Sequence, residues 1–142
     1  MPDRHEIEVE GLSVRDTQIV RRAIERAQEA LDCGLVGVEV CGIGPVESRS
    51  LNRRYRGRDK AASVLSFSLP TASPGGMAGQ VLISPRTVEA ESRRLGVSYR
   101  DWLAELSVHG FLHVLGHRHD DEGARNLMFA HQRALLRRRG RS

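Results

Sequence analysis

Apolar residues recur along the chain with two spacings, one typical of helices and one typical of strands. Residues 14–32 carry apolar side chains at helical spacing after Ser13, which predicts a long amphipathic helix capped by that serine. Residues 5–11, HEIEVEG, alternate polar and apolar positions instead, as a half-buried strand does. The same reasoning predicts further strands at 35–43, 64–69 and 79–84, and further helices at 45–54, 85–95, 99–115 and 121–138.

This order of elements bounds the fold. Strands and helices that follow one another as β-α-β-α-β-β-α-α-α predict a single α+β domain over residues 1–142, with about five helices packed on a four-stranded mixed sheet. A chain of this length can bury roughly two-thirds of its unfolded surface. No apolar run approaches the roughly 20 residues that a membrane helix needs, and the N-terminus has no apolar signal segment. We therefore expect a cytoplasmic protein without a membrane partner.

The charge balance favours an anionic partner. The net charge is +4 and the sequence pI is about 9.8. Arginine supplies nearly all of the positive charge, since Lys60 is the single lysine of the chain. A basic protein of this kind suits RNA, although a genome of high GC content would explain the preference for arginine over lysine equally well.

Residues 109–119, HGFLHVLGHRH, hold four of the six histidines. His109 and His113 are four residues apart, so on a helix they project from one face about one turn apart. Gly116 can adopt the left-handed conformation that ends a helix and lets the chain turn back, which would bring His119 to the first two histidines. Three neutral imidazoles leave one tetrahedral position of a zinc ion open, as in catalytic sites. The spacing therefore predicts one zinc ion per chain at a helix end.

The spacing H-x3-H-x2-G-x2-H is also that of the metzincin zinc helix, in which a general-base glutamate directly follows the first histidine. Gly110 occupies that position, which favours zinc-assisted hydrolysis of a substrate other than a peptide. His117 is interpreted as non-ligating. Glu105 lies one turn before His109, and Asp120 and Asp121 follow His119. Each could support a histidine ligand, but a solvated carboxylate is the preferred interpretation, so no general base is assigned.

Two segments resemble a known family. HGFLHVLGHRH resembles H-G-x-L-H-L-x-G-Y-D-H, the signature of the YbeY family of bacterial rRNA maturation factors and metal-dependent endoribonucleases. LNRRYRGRDKAASVLSFSLP, residues 51–70, resembles the family's L-N-x-x-Y-R-x-K-D-x-P-T-D-V-L-S-F. The resemblance covers residues from about 35 to the C-terminus. The chain departs from the family pattern at His117 (for tyrosine), Arg118 (for aspartate), Ala61, Ala62 and Ser63 (for P-T-D), and Gln80 (for aspartate).

The resemblance implies roles for particular residues. His109, His113 and His119 would be the zinc ligands, and Arg56 would match the arginine that the family uses for activity. The cations close to Arg56 and the polar residues close to the histidines are candidates for contacting substrate or supporting the ligands: Arg58, Lys60, Glu105 and His117.

The resemblance also implies a function. The chain would be a single-strand-specific, zinc-dependent endoribonuclease that acts in 16S rRNA 3′-end maturation and in ribosome quality control. Ribosomal RNA and the small ribosomal subunit would be its partners, together with a ribosomal protein and a ribosome-assembly GTPase. Two alternatives remain open: a zinc-dependent peptidase, and a non-catalytic ribosome-assembly module in which zinc is structural.

Overall fold

The structure, a computed structural model, describes residues 7–31, 37–68 and 77–116, without the side chains of residues 77 and 78. Strands and helices follow in the predicted order, and most bounds lie within two residues of those predicted. The elements are β1 (Ile7–Glu10), α1 (Val14–Leu31), β2 (Gly37–Gly42), α2 (Pro45–Arg56), β3 (Val64–Ser68), β4 (Met77–Ile83), α3 (Pro85–Leu95) and α4 (Tyr99–Gly116). The α+β class is confirmed, and the helix predicted at 121–138 lies outside the described residues.

The four strands form a mixed sheet in the order β1-β2-β4-β3. β1, β2 and β4 are parallel to their neighbours, whereas β3 pairs with β4 in the antiparallel sense. Val38, Val40 and Val81 lie on one face of the sheet and are fully buried. Side chains alternate between the two faces along each strand, and this alternation brings these valines together on one face. None of the helices in the described residues is both long and apolar enough to span a membrane.

Helix α4 is the most enclosed element, because it contacts α1, α3, β3 and β4. Its buried side chains are distributed around the helix and not along one stripe, as expected when a helix is covered on several sides. They include Leu103, Leu106, Val108, Phe111, Leu112 and Val114. The two histidines of this helix are therefore carried by a backbone whose position is fixed by packing.

Gly110 lets α4 approach the sheet closely. A Cβ atom at this position would lie 2.8 Å from Val81 Cγ1 and 3.0 Å from Val64 Cγ2. The hydroxyl of Ser66 donates a hydrogen bond to the Gly110 carbonyl at 3.0 Å, and that of Ser68 donates to the Val114 carbonyl at 3.0 Å. Residue 110 therefore faces the sheet. A glutamate at this position would point into the core and would not act as the general base of a protease.

Replacing Gly110 by alanine should destabilise the protein. Overpacking a well-filled core costs about 1–3 kcal/mol, and alanine returns up to about 1 kcal/mol through its better helix propensity. Because both valines lie on a rigid sheet, we expect a net loss of about 1–2 kcal/mol and a fall in melting temperature of roughly 3–8 °C. Thermal unfolding followed by circular dichroism measures this.

Gly116→Ala is the matched control on the same helix, because nothing among the described residues lies within 4 Å of a Cβ at that position. Its melting temperature should equal or exceed that of the unchanged protein. Equal melting temperatures for the Gly110→Ala variant and the unchanged protein would contradict the close packing of α4 on β3 and β4.

The ends of two helices differ from the sequence-based predictions. Gly116 is the last residue of α4 and does not have a positive φ, so the prediction that it adopts the left-handed conformation is wrong. Helix α2 continues two residues beyond its predicted end, to Arg56. It ends there because Gly57 takes a left-handed conformation with φ 71° and donates its backbone N–H to the Arg53 carbonyl at 3.1 Å.

Candidate active site

A cavity of about 680 Å³ brings together five of the residues singled out from the sequence: Arg56, Arg58, Lys60, His109 and His113. Four elements form its wall: the end of α2 with the loop that follows it, part of β3, one side of α3, and one side of α4. The cationic residues and the histidines are about 50 positions apart in the sequence, so only the fold places them in one site.

The two described histidines lie side by side in the wall of this cavity. His109 and His113 are both half-buried, and their ring centroids are 4.3 Å apart with an angle of 63° between the planes. Burial first, and then the nearby charges of His113 and Arg56, together lower the pKa of His109 to about 4. His109 is therefore neutral near pH 7, with one ring nitrogen able to bind a metal ion.

These two residues fit a zinc site. Zinc binds neutral imidazole nitrogens, and a pair one helical turn apart can supply two ligands to one ion. Histidine, cysteine, aspartate and glutamate side chains of the described residues do not form a larger group that could hold a metal. His117 and His119 lie outside the described residues, so the third ligand at His119 and the non-ligating role of His117 stay predictions.

Glu105 is buried, whereas the sequence analysis preferred a solvated carboxylate at this position. Its side chain is only 8% exposed, so the interpretation as a solvated carboxylate is wrong. The Glu105 side chain has an interaction partner. The burial of Glu105 follows from its place on α4, which other elements surround. Glu105 does not line the cavity, and it is therefore not placed to contact a substrate there.

Four cations of the cavity have no partner within the described part of the chain, whereas two arginines close to them in sequence are paired. In the described part of the chain, no ion pair or hydrogen bond involves the side chains of four residues that line the cavity: Arg56, Arg58, Lys60 and Arg94. By contrast, Arg49 bonds Asp59 at 2.9 Å and Arg93 bonds Glu89 at 3.2 Å, and neither arginine lines the cavity. Since Glu91 is the single carboxylate among the described residues that line the cavity, positive charge is in excess there and favours an anionic ligand.

Hydrogen bonds from α2 hold the loop that carries Arg58 and Lys60. The Ser48 hydroxyl donates to the Ala62 carbonyl at 2.6 Å and accepts from the Ala62 backbone N–H at 2.8 Å. The Asn52 amide donates to the Lys60 carbonyl at 2.8 Å. The loop that lacks the proline of the family pattern is thus positioned by contacts with α2.

Gln80, another departure from the family pattern, lies away from the cavity. Its neighbour Gly79 faces α4, so alternation along β4 places Gln80 on the opposite face of the sheet. There the Gln80 amide donates to Glu39 Oε1 at 2.6 Å on the adjoining strand. A glutamine avoids placing a second carboxylate beside Glu39.

Arg94 and Trp102 also line the cavity, and they are not among the candidates from sequence reasoning. Arg94 belongs to a pair of adjacent arginines at a helix end, a pattern common on solvated helices. Trp102 is the single tryptophan of the chain. The presence of a single tryptophan was the only feature of the sequence that could have drawn attention to Trp102, and it does not indicate which surface of the fold the ring faces.

Comparisons with known proteins agree with the resemblance. The family model for Endoribonuclease YbeY matches residues 4–140. An Endoribonuclease YbeY of Rhodopseudomonas palustris is 38% identical over 128 residues, which are 85% of this chain and 67% of that protein. One from Rhizobium etli is 39% identical over 98 residues, 66% of this chain and 57% of that protein. The chain thus spans between about half and two-thirds of these relatives' own length.

A solved structure shares the fold. The solution structure of a Thermotoga maritima protein aligns with a TM-score of 0.63 at 24% sequence identity. The alignment covers 92% of this chain and 86% of that protein.

Proposed function

The chain belongs to the YbeY family of endoribonucleases, and from this premise we propose that it cleaves single-stranded RNA with one zinc ion bound by His109, His113 and His119. The observation that carries the proposal is the shared cavity. It places the half-buried pair of His109, which is neutral near pH 7, and His113 beside cations that have no partner among the described residues. A metal site next to uncompensated positive charge suits the hydrolysis of a phosphodiester.

The residues of the chain have distinct tasks in this proposal. Zinc, when bound, supplies Lewis acidity toward a phosphoryl oxygen and acidifies water. Arg56 lies close enough to His109 to lower its pKa, so its guanidinium can donate to the oxygens on which negative charge builds during cleavage. Arg58 and Lys60, on the loop fixed by α2, can hold the flanking phosphates of the same strand. Together these groups orient the RNA backbone across the histidines.

The biological substrate we propose is the 3′ end of 16S rRNA, with a further role in ribosome quality control. Family membership and the basic charge of the chain support this substrate. The partners that follow are the small ribosomal subunit, one of its proteins and a ribosome-assembly GTPase, in the cytoplasm. The two alternatives from the sequence are a zinc peptidase and a ribosome-assembly module with structural zinc. The burial of Gly110 against the sheet counts against the first, and the open cavity beside the histidines counts against the second.

Cleavage assays with purified protein test the proposal. We expect zinc-loaded protein to cut a labelled single-stranded RNA carrying the small-subunit 3′ end, and we expect a chelator to stop the reaction. The same sequence in a duplex should be cut at least about tenfold more slowly, because a cavity that holds splayed nucleotides does not admit a paired helix. Unfolded casein should stay intact.

The ends of the RNA products distinguish two nucleophiles, and two other assay results would favour the alternative functions. A 2′,3′-cyclic phosphate end would identify the RNA 2′-hydroxyl as the nucleophile, whereas a linear phosphate on first appearance would identify water. Chelator-sensitive cleavage of casein would favour the peptidase. Folded, zinc-containing protein that binds RNA without cutting it would favour the non-catalytic module.

A further inference from the structure

The cavity wall contains an aromatic ring and an arginine that the proposed reaction does not use. Trp102 lies in the first turn of α4, seven residues before His109, and residues at this spacing share a helix face. Arg94 lies in the last turn of α3. Both line the cavity that contains the two histidines. Seven residues of helix rise about 10 Å, so the backbone at Trp102 lies about that far from the backbone at His109 along the helix axis.

The Trp102 ring has a fixed orientation. Its indole N–H donates to Glu91 Oε1 at 2.9 Å, and Glu91 lies one turn before Arg94 on α3. The half-buried ring also packs against the hydrophobic core. A half-buried aromatic ring that is held at its N–H edge loses little side-chain freedom when a flat ligand stacks on it. Nucleobases are flat ligands of this kind, and their stacking depends little on sequence.

Arg94 adds a positive charge to the same cavity. Its exposed guanidinium makes no ion pair or hydrogen bond within the described part of the chain. The adjacent Arg93 is bound to Glu89 and does not line the cavity. Both arginines lie in the last turn of α3, where either could interact favourably with the helix dipole. This interaction therefore does not explain why Arg94, and not Arg93, lines the cavity.

We propose that Trp102 and Arg94 form a nucleotide subsite next to the histidines, where a nucleobase stacks on the indole and the guanidinium binds the backbone phosphate. The identity of the ligand as a single strand of RNA rests on the proposed function. The subsite holds a nucleotide that flanks the cleaved bond. It therefore contributes binding and register along the strand, and it takes no part in the chemical step.

Intrinsic fluorescence tests the stacking directly, because Trp102 is the only tryptophan of the chain. The zinc-loaded protein is titrated with a 2′-O-methyl hexanucleotide, and gel analysis afterwards checks that the hexanucleotide is intact. The matched probe is a hexamer with the same sugar-phosphate backbone but without bases. The base-bearing probe should quench the emission to saturation, whereas the abasic probe should bind more weakly and leave the emission nearly unchanged.

Variants separate the phosphate contact from the stacking contact. Arg94→Ala should weaken binding of the hexanucleotide about five- to tenfold and lower the slope of log affinity against log salt by about 1, whereas Arg93→Ala should change neither. Trp102→Leu should weaken binding of a dye-labelled hexanucleotide by about fivefold to a hundredfold, with no effect on the abasic hexamer. Trp102→Phe keeps an aromatic ring and should retain most of the affinity, which covers the case of a leucine variant that does not fold.

Two results would overturn the subsite: emission that does not change at saturating hexanucleotide, or equal affinities of the Arg94→Ala and Arg93→Ala variants. Either would do so even if the protein cuts RNA. Quenching by the base-bearing probe alone, from a protein that cuts no RNA, would instead support the subsite and refute the catalytic proposal.

Discussion

Replacing His113 by alanine is expected to remove zinc from the protein and to slow RNA cleavage by on the order of a thousandfold or more. The His113 ring lies 4.3 Å from that of His109, and the two are the described part of the proposed three-histidine site. Two remaining ligands cannot hold zinc in the tetrahedral geometry that leaves one position open. His109→Ala and His119→Ala should have the same result.

Elemental analysis of dialysed protein measures this loss, with circular dichroism to confirm folding. The fold should persist, because α4 is anchored by buried apolar residues and both histidines are only half-buried. His117→Ala is the control within the same segment and should keep close to one zinc ion per chain. If His117→Ala lost zinc while His119→Ala kept it, the third ligand would be His117, and the interpretation of the motif would be wrong.

Arg56→Ala should slow cleavage by on the order of a hundredfold or more while zinc content and melting temperature stay close to those of the unchanged protein. Arg56 is an exposed residue at the end of α2, and surface changes of this kind alter stability by about 0.5 kcal/mol or less. Its removal takes a positive charge away from the histidines, so zinc should bind no more weakly. The lost interaction is the one with the phosphate during cleavage. Arg56→Lys should restore only part of the rate, because an ammonium group cannot bind phosphate in a bidentate manner.

Single-turnover cleavage at saturating enzyme isolates this effect from RNA binding. Arg53→Ala is the matched control, since Arg53 is also exposed on the last turn of α2 but does not line the cavity. It should leave the rate within about twofold, as a surface charge outside the site does. An unchanged rate for Arg56→Ala with zinc intact would exclude Arg56 from the mechanism and transfer its role to Arg58 or Lys60.

The sequence by itself determined the features that depend on short separations along the chain. The elements follow from apolar spacing, because a helix and a strand repeat over a few residues whatever their surroundings. The proximity of His109 to His113 has the same origin, since four residues make about one helical turn. The mixed sheet could be predicted from the order of elements, because β3 and β4 follow each other directly and can pair as neighbours.

The tertiary structure alone decided what surrounds those features. Glu105 has a carboxylate that a local pattern places on a solvated surface, yet packing of α4 on several sides buries it. Gly110 stands in the sequence motif where proteases have a general base, whereas the fold shows that this position packs closely against Val81. Arg94 and Trp102 join Arg56 in one cavity because α3 packs along α4 near the end of α2. Such neighbours are set by contacts between residues far apart in the chain, and the periodicity of a single helix or strand contains no information about which element will cover each face.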